Sequence, residues 1–196
     1  MQLARYTVGP YGEHCYLIYL DDGQCLIIDP GDQADFLIQE ITQLNVRPQA
    51  ILLTHAHFDH ILAVEALRDH YQIPLWQHAS EANWVVKRQS HPATTPTYFW
   101  DHEGDYAIAG FKFRLAHVPG HSPGSVVFIF NDFVIAGDTL FKGTIGRTDL
   151  EDGDHDRLIS GIKKHLLTLP DQVRVFPGHG QATSIAEEKA NNPFFK

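Results

Sequence analysis

The segment His55-x-His57-x-Asp59-His60 packs three imidazoles and a carboxylate into six consecutive residues. A transition metal takes several N and O donors at about 2 Å. His55 and His57, two apart in an extended loop, can point into one cavity. Asp59 and His60, at the start of a following helix, approach from another direction. One short segment therefore feeds two adjacent positions, as a pair of ions ~3.5–4 Å apart requires. Imidazole and carboxylate without thiolate suit Zn, Fe or Mn.

Three more blocks repeat the same grammar of hydrophobic strand, breaker and metal-binding side chain. They are Leu115 to His121, Val134 to Asp138 and Val175 to His179. Strand ends are rigid and the loops after them are exposed, so such residues can converge at one edge of a sheet. Glycine stands before His121, Asp138 and His179, where it permits a sharp turn or a close backbone approach.

The elements that must position these groups follow from pattern. Tyr16–Leu20 and Cys25–Ile28 flank the turn 21–23 as a hairpin. Ala34–Leu44 has helical periodicity, Ala50–Leu53 reads as a buried strand, and a helix follows from about Ile61 to His70. Leu75-Trp76 reads as a strand, Ser80–Arg88 as a helix, and residues 89–105 as a long surface loop whose Tyr98, Phe99 and Trp100 could wall a pocket. Phe111–Val118, Val126–Phe130, Phe133–Ala136 and Val173–Phe176 read as strands, and Asp156–Leu169 as a helix. Ser184-x-x-Glu187 matches a capping box before a helix from Ile185 to about Asn191. Two sets of strands, each with helices, predict an α/β chain built as an αββα sandwich, one domain over residues 1–196.

Composition narrows the class. Fifteen Lys+Arg against 24 Asp+Glu give a net charge of −9, which disfavours a nucleic-acid backbone as partner. No apolar run approaches the ~20 residues of a membrane span. The opening residues lack a signal-peptide core, so a cytoplasmic location and no membrane partner are expected. Cys15 and Cys25 read as reduced thiols. Of 13 histidines, His14, His70, His78, His91, His102, His117, His155 and His165 carry no ligand pattern and read as ordinary surface or core residues.

The run Thr54 to His60, followed in order by His121, Asp138 and His179, resembles the metallo-β-lactamase superfamily. Gly137 to Phe141 and Gly143 to Asp149 look like its glyoxalase II-like branch, in particular the short hydroxyacylglutathione hydrolases. The resemblance implies that His55, His57 and His121 hold one metal, that Asp59, His60 and His179 hold a second, and that Asp138 bridges them. It implies that Asp29 supports the metal loop through hydrogen bonds. Full-length glyoxalase II enzymes carry a further helical domain that grips glutathione, whereas only about 16 residues follow Gly180 here. Those enzymes place Lys at Arg147, Tyr at Asp149 and Tyr at Gln181. Arg147 is therefore a candidate for an anionic substrate group or for a structural salt bridge, and the thiol carrier stays open.

The expected reaction is hydrolysis of a small thioester such as S-lactoylglutathione by a metal-bridging hydroxide, with Asp59 also orienting the nucleophile. Two divalent ions, zinc first and Fe or Mn as alternatives, lower the pKa of the attacking water toward ~7. A thiolate leaves without a strong protein acid, whereas an amide nitrogen must be protonated as it leaves. Thioester therefore ranks above lactone, and lactone above lactam or phosphodiester. The rivals are a mononuclear iron persulfide dioxygenase using His55, His121 and Asp138, a lactonase or related hydrolase, and a metal-binding scaffold without turnover.

Overall fold

The computed structural model describes residues 1–81 and 94–196. The chain divides into two units, Met1–Asp101 and His102–Lys196.

The first unit holds a six-stranded sheet ordered β1 (Gln2–Val8), β2 (Glu13–Tyr19), β3 (Gln24–Ile28), β4 (Arg47–Leu52), β5 (Leu75–His78) and β6 (Tyr98–Trp100). The first three strands run antiparallel, and β3 to β6 are mutually parallel. The β3–β4 and β4–β5 crossovers are made by α1 (Ala34–Gln43) and α2 (Val64–Tyr71). Period-2 alternation sends Cys15, Leu17, Ile27 and Ile51 to one face. There they pack with Leu37 and Ile41 of α1 and with Val64 and Leu67 of α2. The alternate residues Tyr16, Ile18, Leu26, Ile28 and Leu52 are also buried. Burial on both faces explains why these strands read as continuous apolar runs.

The second unit is a sheet ordered β14 (Thr183–Ser184), β13 (Arg174–Pro177), β10 (Phe133–Gly137), β9 (Val126–Ile129), β8 (Phe111–His117) and β7 (Gly104–Ile108). Only β10 and β13 pair in parallel. Val127, Val134, Ala136 and Val175 pack against Leu158 and Ile162 of α3 (His155–His165) and Ile185 of α4 (Ile185–Asn191). A row of rings, Phe113–Phe130–Phe133–Phe176, runs through the same sheet with centroids 5.5, 4.6 and 5.8 Å apart. A small hairpin, β11 (Leu140–Phe141) with β12 (Thr144–Ile145), follows β10.

The tail is tied to that hairpin by a buried carboxylate. Glu188 of α4 accepts from Gly143 N–H (3.0 Å), Thr183 Oγ1 (2.6 Å) and Asn192 Nδ2 (2.7 Å), and Asn192 Nδ2 also donates to the Thr144 carbonyl (3.1 Å). The Ser184 hydroxyl caps α4 by accepting from Glu187 N–H, as the capping box predicts.

The α/β class holds, with differences in detail. The stretch read as a loop over 89–105 contains β6, and β7 begins at Gly104. Trp100 is buried and stacks on Trp76 (4.8 Å) as part of the sheet, while Tyr98 and Phe99 stay exposed. Three-residue strands give too short a pattern to separate from an aromatic loop. The opening strand β1 was not read from sequence because Arg5 and Thr7 interrupt its apolar run. Most of the helix expected over Ser80–Arg88, and residues 89–93 of the loop, lie outside the described residues. Among the described residues, no helix is long and apolar enough to cross a membrane.

Candidate metal centre

In the first unit the histidine-rich segment leaves the end of β4, next to the end of β3 that delivers Asp29. Asp29 has φ 48°, a left-handed conformation that Asp tolerates better than most residues. It is buried, and its carboxylate accepts from Thr54 N–H (2.7 Å), from the Thr54 hydroxyl and from His60 Nδ1 (3.1 Å). Glu13 of β2, also buried, lies 3.6 Å from the same His60 nitrogen.

These bonds set proton positions. A carboxylate only accepts, so His60 carries its hydrogen on Nδ1 and keeps the Nε2 lone pair. The Thr54 hydroxyl spends its hydrogen on Asp29, so it accepts from His55 Nδ1, 3.0 Å away. His55 therefore also keeps the Nε2 lone pair. One carboxylate thus fixes the tautomers of two imidazoles, the arrangement by which outer hydrogen bonds orient metal-ligating histidines. The rings converge: His55 lies 4.7 Å from His57 and 4.1 Å from His60, centroid to centroid. His57 and His60 bracket the 3₁₀ turn Phe58–His60 that carries Asp59. The buried Glu81 accepts from the backbone N–H of Ala56, between His55 and His57, at 3.0 Å.

In the second unit, His121 follows β8, Asp138 follows β10 and His179 follows β13. Gly120 and Gly137 have φ of 135° and 48°, the turns expected from sequence. Gly178 acts otherwise: its N–H donates to the Gly137 carbonyl (2.8 Å), holding the ends of β10 and β13 together. His121 Nδ1 donates to the carbonyl of Arg147 (3.0 Å), which again leaves the Nε2 lone pair. That nitrogen lies 3.5 Å from Asp138 Oδ2, and His179 Nε2 lies 3.6 Å from the same oxygen. One carboxylate oxygen faced by two imidazole nitrogens is the geometry of a shared ligand.

The donors of each unit fit a divalent transition metal ion. They are imidazole nitrogens and carboxylate oxygens, and His55, His60 and His121 have their tautomers fixed through Nδ1. Asp29 has its oxygens committed to Thr54 and His60. Cys15 and Cys25 are buried, and burial pushes both thiols up, Cys25 to about 12, so neither competes as thiolate.

Arg147 contributes in a way the sequence did not signal. Its carbonyl orients His121, while its exposed guanidinium makes a fork with Asp149 (Nε–Oδ1 3.0 Å, Nη2–Oδ2 3.1 Å). The pairing raises the Arg147 pKa and lowers that of Asp149. The salt bridge, one of its two expected roles, is made. Sequence reasoning missed Thr54 as the hydrogen-bond link between Asp29 and His55, and missed Glu13 and Glu81 altogether. Thr54 was signalled by adjacency to His55, whereas the two glutamates become relevant only through the fold.

The Metallo-beta-lactamase superfamily model matches residues 8–179. The chain is 39% identical to the probable metallo-hydrolase YqgX of Bacillus subtilis, over 99% of this chain and 97% of that one. It is 36% identical to the hydroxyacylglutathione hydrolase GloC of Haemophilus influenzae, over 99% and 98%. Among solved structures it is similar to the BLEG-1 B3 metallo-beta-lactamase, with TM-score 0.94, 38% identity and full coverage of both chains.

Proposed function

Because the chain belongs to the metallo-beta-lactamase superfamily, we propose that it is a metal-dependent hydrolase of small thioesters, with residues 1–196 as one catalytic domain. His55, His57, Asp59, His60, His121, Asp138 and His179 are its ligands for two divalent cations. The observation that carries this reading is the pair of imidazole nitrogens facing Asp138 Oδ2 at 3.5 and 3.6 Å. The hydrogen bonds that tie His60 directly, and His55 through Thr54, to Asp29 support it.

When bound, the cations supply a water nucleophile at neutral pH and positive charge for the carbonyl oxygen under attack. The chain's own residues do the rest. Asp29 holds His60 directly and His55 through Thr54 in fixed tautomers, so no proton must be moved before they ligate. The Arg147 carbonyl does the same for His121. Asp59 accepts a hydrogen bond from the attacking water and orients it. Glu81 holds the backbone between His55 and His57.

Thioester is favoured because a thiolate departs without a protein acid, and because a relative 36% identical is named a hydroxyacylglutathione hydrolase. A second reading, β-lactam hydrolysis, draws on the likeness to BLEG-1. The test is turnover of the zinc-, iron- and manganese-loaded protein on thioester, lactone, β-lactam and persulfide panels, with metal content measured alongside. The thioester reading expects thioester kcat/KM at least tenfold above every other class. Preferred β-lactam turnover would replace it, and oxygen uptake with a persulfide on a single iron would overturn it.

A further inference from the structure

The turn between β1 and β2 carries apolar side chains to the neighbourhood of Asp59. Gly9 and Gly12 have φ of 64° and 66°, and Gly12 N–H donates to the Gly9 carbonyl (3.3 Å), so the turn is tight. It presents Tyr11, 62% exposed, whose ring meets Phe58 edge to face at 4.9 Å. Phe58 begins the 3₁₀ turn that carries Asp59, and Leu62, 43% exposed, follows that turn. Between turn and segment lies a partly enclosed cavity of about 70 Å³. Val8, Pro10, Tyr11 and Leu62 give it apolar walls, and Asp32 and Asp59 are among the other lining residues.

Single exposed apolar residues mean little, but apolar residues grouped around a recess beside a candidate ligand fit the make-up of a ligand pocket. Its size is selective. A pocket for a drug-sized ligand runs to about 300–1,000 Å³ and one water takes about 30 Å³, so this recess takes a few carbon atoms and no ring. Its charge is selective as well. Asp32, the lining carboxylate outside the proposed metal ligands, repels an anionic group.

Resting on the thioester reading above, we infer that this recess is the acyl subsite and that the preferred substrates are thioesters of short, uncharged acyl groups. The attacked carbonyl lies beside Asp59, the acyl chain enters between Tyr11 and Leu62, and the thiol carrier points away from the recess.

The test is an acyl series on one thiol, acetyl, propionyl, butyryl, octanoyl and succinyl, with the metal-loaded protein and its Leu62→Trp and Leu62→Ala variants. Leu62 is exposed enough for either change to leave folding intact. The expected kcat/KM rises about fourfold per methylene from acetyl to butyryl, the rate equivalent of about 0.8 kcal/mol per buried CH₂. It falls at octanoyl and is at least tenfold lower for succinyl than for butyryl. Leu62→Trp removes the gain from acetyl to butyryl, and Leu62→Ala moves the optimum to a longer chain. Calorimetric binding of the ketone analogues, in which CH₂ replaces sulfur, should follow the same order. A length profile unchanged by both variants, or succinyl equal to butyryl, would overturn the inference while leaving the hydrolase standing. No turnover of any thioester would instead remove the hydrolase reading, and the calorimetric order would still decide what the recess holds.

Discussion

Asp29 Oδ2 and His60 Nδ1 lie 3.1 Å apart, both buried, and the same carboxylate reaches His55 through the Thr54 hydroxyl. Asp29→Asn tests this relation cleanly, because Asn also tolerates φ 48°. The amide cannot serve as acceptor to Thr54 N–H, Thr54 Oγ1 and His60 Nδ1 together. Metal affinity should fall about 10–100-fold, as for other outer-ligand changes. Chelator competition with metal analysis measures it, and circular dichroism checks that the fold persists.

Glu81 and Ala56 N–H form a second support, at 3.0 Å. Glu81→Ala leaves that buried N–H without its acceptor and should destabilise the protein by about 1–3 kcal/mol. Glu81→Gln keeps an accepting oxygen and should restore most of the loss. Urea unfolding of both variants reads the difference.

Gly120 carries the backbone into His121 where no side chain fits. A Cβ there would meet the Asp154 carbonyl oxygen at 2.4 Å and Leu158 N at 2.7 Å, at φ 135°. Gly120→Ala should cost about 3 kcal/mol, strain and overpacking together. Gly143→Ala is the control. Its φ is also positive but nothing lies within 4 Å, so about 1–2 kcal/mol is expected. Unfolding midpoints compare the two.

His165, buried at the end of α3, has its pKa lowered by desolvation, against an opposing pull from Glu103, 3.4 Å away. A lowered value means the folded state binds the proton less readily than the unfolded chain. Its contribution to stability is therefore present above pH 6.5 and is lost as pH falls from there through the lower folded value. Chemical denaturation between pH 7.5 and 5 should show a slope that shrinks in His165→Gln.

Much of this was readable in the chain because it is local. The His55–His60 segment is its own motif, and α1, β9, β10 and α4 announce themselves by periodicity, turns and a capping box. What was not readable is what the fold alone brings together. Glu13 and the Arg147 carbonyl serve histidines 47 and 26 positions away, and Glu81 serves a backbone amide 25 positions away. Glu81 serves through the Ala56 backbone, one residue from His55 and His57. No spacing rule finds a glutamate whose task is to hold another residue's amide, and a carbonyl has no letter in the sequence. Residues 98–100 failed for the opposite reason, being too short to display alternation.

The Glu188 carboxylate, saturated by donors from Gly143, Thr183 and Asn192, joins the last helix to the hairpin just beyond Asp138. Terminal helices commonly fray at little cost, yet this one cannot leave without breaking the Gly143 N–H bond to Glu188 and the Asn192 bond to the Thr144 carbonyl. The tail and the hairpin should therefore open as one foldon, and their amide protons should exchange with solvent at matching rates.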